Sequence, residues 1–107
     1  MTAALQALED QYILLTNNLS ALQAACQSDA DRTALMTQYV TCRRTYFTAI
    51  NQVFHDDDLA VQALVGQMKQ EQTNLAAAVT HIGAIAGVIN AVTTAVQTGV
   101  ALAAKVG

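Results

Sequence analysis

Proline and tryptophan are absent from this chain, and glycine occurs five times in 107 residues. A sequence without proline places no interruption on helices, and long continuous ones are expected. Charge is scarce as well: Asp, Glu, Lys and Arg make up 12%, against about 25% in an average soluble domain. The apolar share is 53%, but much of it is alanine, which marks helix more than greasiness. Five Lys and Arg give no basic patch, and Arg43–Arg44 is the only adjacent pair. Binding to nucleic acid, which needs several cations against phosphates, is not expected.

Catalytic patterns are missing too. No Ser-His-Asp, Cys-His, paired-carboxylate or glycine-loop arrangement is visible, so the chain reads as non-enzymatic, with no cofactor and no evident small-molecule substrate. His55 with Asp56, Asp57 and Asp58 looks like a ligand set. An EF-hand counted from Asp56 would need Gly at its sixth position and Glu at its twelfth, and those positions hold Val61 and Gln67. The stretch reads as a solvated, helix-capping turn, and no metal site is expected. His81 has no carboxylate three or four residues away to orient it. Cys26 and Cys42 lack Cys-x-x-Cys spacing and read as reduced, semi-buried thiols.

The opening MTAALQALEDQYILL has no basic region followed by an apolar run, because Glu9 and Asp10 interrupt it. It does not read as a signal peptide, which points to the cytoplasm or to export by a leaderless route.

What is present is heptad periodicity, in a length suited to one domain, 1–107. Leu5, Leu8, Tyr12, Leu15, Leu19, Leu22 and Cys26 recur at steps of three and four and set a first helix over about 3–27. Gln11 falls off that seam. Ser28 or Asp29 caps a second helix over about 30–54, with seam Leu35, Tyr39, Cys42, Tyr46, Ile50 and Val53. Folding the two back on each other sets Leu5 opposite Val53, Leu8 opposite Ile50, Tyr12 opposite Tyr46, Leu15 opposite Cys42, Leu19 opposite Tyr39, and Leu22 opposite Leu35. In that hairpin Cys26 and Cys42 lie about 15 Å apart along the axis, too far for a disulfide.

Asp57 or Asp58 caps a third helix over about 59–81. Folded back on helix two, it runs out of partner near Gly83, leaving about 84–106 for a fourth. The expected fold is all-α: an antiparallel up-down-up-down four-helix bundle. The alternative is a helical hairpin plus one long C-terminal helix from about 59 to 106, because the heptad also continues unbroken through THIGAI. In the bundle, Arg43 and Glu71 fall opposite each other and are expected to form a partly buried, register-fixing ion pair.

From Gln72 through Ala104 there is no charged residue, a stretch of 33, longer than the roughly 20 a membrane span needs. Its apolar residues nonetheless share one stripe, Ile82, Ile85, Ile89, Val92, Val96, Val100 and Ala103. Asn90, Thr93, Thr94, Gln97 and Thr98 share the other side. Amides facing lipid are costly, so the segment reads as a core helix of a soluble bundle. Its neutral outer side, Gly83, Gly87, Asn90, Thr94, Gln97 and Ala101, is a candidate contact face for another copy or a protein partner. The expected function is a non-enzymatic helical bundle acting through protein–protein contacts. The rival is a membrane-active, pore- or translocator-type protein that uses 82–104.

Overall fold

The computed structural model describes residues 2–105, and these form four α-helices and no strand. They are α1 (Ala3–Ala25), α2 (Asp29–Ala49), α3 (Leu59–Thr80) and α4 (Ile85–Ala103). Together they make an up-down-up-down four-helix bundle of 43 × 22 × 18 Å. The long third helix is ruled out, because the chain leaves helical geometry at His81 and resumes it at Ile85. Val106, the expected end of helix four, lies outside the described residues.

Capping explains three of the four starts. Thr2 Oγ1 accepts from the Leu5 amide, Ser28 Oγ from Asp31, and Asp58 Oδ1 from Ala60 and Val61. Each bond satisfies one of the orphan amides of a first turn. Asp29 and Asp31 add negative charge at the positive end of α2. Helix α4 has no side-chain cap, so burial holds it in place. Eight of its residues are buried: Val88, Ile89, Val92, Ala95, Val96, Thr98, Gly99 and Leu102.

The neighbours differ from those expected. Helices α1 and α4 each pack on all three others, while α2 and α3 stand at opposite corners and do not pack on each other. A hairpin of helix two with helix three is therefore not formed. The connection over residues 50–58 instead crosses the end of the bundle, and this is why α2 stops at Ala49, five residues short of expectation. Phe54 is 5% exposed and plugs that end beside Ala4, Leu8, Val61 and Leu102. Asp56 takes the Ala3 amide on one carboxylate oxygen, and its backbone carbonyl takes the Gln62 side chain. The crossing is thus tied to the starts of α1 and α3.

The α1–α2 hairpin forms, and its middle rung is in direct contact. Tyr12 and Tyr46 stack with ring centroids 5.4 Å apart. Leu15, Leu22, Leu35 and Cys42 share one buried cluster, with Leu19 and Tyr39 packed against it. The last two rungs fail, because Ile50 and Val53 lie beyond the end of α2 and are exposed. On α4 the buried arc turns toward Gly99 and Leu102, which leaves Val100 exposed and takes Thr98 inward.

The register failure has a direct test. Val53, an expected seam residue, is 66% exposed, so Val53→Ala should change unfolding free energy by less than about 0.5 kcal/mol in a urea titration. Phe54→Ala should cost about 3–5 kcal/mol in the same measurement.

Candidate contact surface

The outer face of α4 is positioned by what its inner face touches. At mid-height Gln11 of α1 is 1% exposed. Its Nε2 donates to the Ala95 carbonyl at 2.7 Å, and its Oε1 accepts from the Cys42 thiol at 3.4 Å. One amide thus joins α1, α4 and α2. Gly99 makes the approach possible: a Cβ there would come within 2.9 Å of Gln11 Oε1 and 3.4 Å of a Leu8 methyl. Sequence periodicity set Gln11 aside from the core. The missed signal was its place among Ala4, Ala7, Leu8 and Leu15, all buried. The true inner face of α1 is rotated toward its small residues, leaving Leu5, Tyr12 and Leu19 on the flank.

The expected Arg43–Glu71 ion pair is not formed, since α2 and α3 stand at opposite corners. Arg43 is exposed, with its guanidinium 5.9 Å from the Phe47 ring centroid. Glu71 turns to α4 instead. Its Oε1 accepts from Gln67 Nε2 at 2.9 Å and from the Thr98 hydroxyl at 3.0 Å, while its buried Oε2 has no partner. Glu71, Asn74, Asn90, Ala91 and Thr94 line a groove between α3 and α4.

The six residues of the candidate face, Gly83, Gly87, Asn90, Thr94, Gln97 and Ala101, are all exposed. Gly83 lies in the turn before α4, and the other five lie on the helix. None of the six is charged, and Glu71 of α3 borders Asn90 and Thr94. A second surface, along the α1–α2 junction, is aromatic: Tyr12 packs on Tyr39, Tyr46 and Phe47, and the Tyr46 hydroxyl donates to Glu9 at 2.9 Å. That bond holds the Tyr46 hydroxyl above its ordinary pKa, with burial adding to the effect.

Among the described residues no group of three or more His, Cys, Asp or Glu side chains is placed to hold a metal ion. Asp58 caps α3, Asp56 ties the crossing, and His81 stands exposed at the end of α3. Both cysteines are free and buried. Cys26 donates to the Leu22 carbonyl, and burial pushes the Cys42 thiol up to about 12. No family model, curated protein or solved structure matches this chain.

Removing the central amide should be costly in proportion to the void left. Gln11→Ala should lose about 2–4 kcal/mol in urea unfolding, through both the cavity and the lost bonds. Gln11→Met, which keeps the volume, should lose less than about 1.5 kcal/mol.

The raised Cys42 pKa fixes a pH window. The fold accepts only the neutral thiol, so the associated stability is complete below the ordinary value of 9.0 and is lost as pH rises toward about 12. Unfolding free energy should fall across that window, and Cys42→Ala should flatten the fall. Tyr46→Phe should remove the separate contribution of the Tyr46 hydroxyl, which has the same sign.

Proposed function

We propose that this protein is a non-enzymatic helical bundle that works by protein–protein contact, with the outer face of α4 as its docking surface. One observation carries the reading: the helix with the most buried inner face also presents an exposed outer face without a single charge. Water-facing helix surfaces are usually charged. A continuous neutral strip of Gly, Ala, Thr, Asn and Gln suits close contact with another helix, because its short side chains lose little rotamer freedom and its amides can bond across.

The test is site-specific photocrosslinking in cells that make the protein. A crosslinker at Thr94 should give discrete protein adducts, and one at Asn17, exposed on α1, should give none. Equal labelling from both sites, or none from Thr94, overturns the reading.

A second reading rests on one further observation. Among the described residues α4 is the single helix long and apolar enough to cross a membrane. A membrane-active protein would use that segment. Flotation with lipid vesicles separates the two: the docking reading expects the chain to stay with the soluble fraction, and comigration with vesicles favours the membrane reading.

A further inference from the structure

The outer face of α4 has an order of its own. Gly83, Gly87, Asn90, Thr94, Gln97 and Ala101 succeed one another at alternating steps of four and three, the spacing of a coiled-coil seam. It is distinct from the inner seam that holds the bundle. Asn90 and Gln97 are seven residues apart and therefore occupy the same seam position. In a parallel, in-register pair of α4 helices each would meet its own counterpart. An amide can donate to such a counterpart and accept from it, and a seam Asn of this kind selects register and a two-stranded state. Nothing bulky stands in the way, and a Cβ at Gly87 would meet no atom within 4 Å.

The flanks name the occupant. Helices α2 and α3 stand on opposite sides of α4. On one side Arg44 lines a groove with Val100 and Ala104. On the other, Glu71 bonds Thr98 and lines a groove with Asn90 and Thr94. Arg44 is exposed and makes no ion pair among the described residues. Charges of opposite sign thus flank the C-terminal half of α4, Glu71 beside Thr94 and Thr98 and Arg44 beside Val100 and Ala104. A half-turn about an axis parallel to α4 lays α4 on α4 in parallel and exchanges the flanks, so Arg44 of one copy comes opposite the partner's Glu71, and the reverse. An antiparallel pairing sets α2 against α2 and α3 against α3, and brings no opposite charges together.

We propose that this chain forms a twofold homodimer through the outer face of α4, with Asn90 and Gln97 on the seam and reciprocal Arg44–Glu71 pairs at its rim. Residue i of one copy meets j of the other and j meets i, as an isologous contact requires. The proposal rests on the reading of α4 as a docking surface and commits it to a second copy.

The experiment is sedimentation of the full chain across a concentration series, together with disulfide trapping. The expected mass is twice 11.3 kDa. Thr94→Glu should give monomer with an unchanged helical circular dichroism spectrum, and Arg44→Glu should weaken the dimer about tenfold or more through like charges at the rim. Adding Glu71→Lys to Arg44→Glu should restore it. Because Glu71 also holds Thr98 and Gln67, that double variant is read only if its circular dichroism melt is retained. Gln97→Cys gives an independent reading: oxidation should trap a covalent dimer, with both native thiols buried and Asn17→Cys giving none.

Monomer at every concentration with no trapping at residue 97 overturns the homodimer. If Thr94 still crosslinks to a different protein, the docking reading survives with that partner; if it crosslinks to nothing, both fall. A dimer insensitive to Thr94→Glu and Arg44→Glu overturns the proposed face.

Discussion

The buried amide of Gln11 is the constraint on which the arrangement of this bundle depends. A polar side chain sealed from water costs about 1–3 kcal/mol if left unpaired, and here it is paired twice, with the Ala95 carbonyl and the Cys42 thiol. Those bonds exist only if α1 and α4 approach closely, and Gly99 leaves room for the amide, since a Cβ there would lie 2.9 Å from Gln11 Oε1. Once α1 and α4 form the short diagonal, α2 and α3 are left at the far corners. Their connection must cross the bundle end, α2 must stop early to allow it, and Phe54 fills the space beneath the crossing.

The same geometry distributes charge. Helix α4 sits between three neighbours and carries no charged residue over Ile85–Ala103. The carboxylate of Glu71, separated from Arg43 by the width of the bundle, binds Thr98 and Gln67 instead. Its second oxygen is left without a donor. Glu71 and Arg44 thus flank an uncharged helix face from opposite sides.

Much of the architecture was legible in the residues themselves. Heptad spacing marked the helical stretches without dividing α3 from α4, and Ser28 or Asp29 and Asp57 or Asp58 marked two starts, where Ser28 and Asp58 are the caps. The pairing of Tyr12 with Tyr46 followed from hairpin geometry. The acidic turn read as a cap, with Asp58 in that role. The six residues of the α4 face were separable from its apolar stripe by period alone, and all six are exposed. Gln11, the early end of α2, the inward turn of Thr98 and the partners of Arg43 and Glu71 were not legible. Each depends on which helices become neighbours.

Local sequence therefore determined where three of the helices begin and that each carries an apolar stripe, and it left residues 59–106 as either two helices or one. Those are consequences of backbone capping and of a 3.6-residue period, and both act within one helix. Tertiary structure alone decided which helices touch. Four apolar stripes can close around a core with α2 beside α3 or across from it, and periodicity does not distinguish the two. In the arrangement adopted, the Gln11 amide, the missing Cβ of Gly99 and the Ala95 carbonyl fit together across the bundle, a contact that exists only once α1 and α4 are neighbours.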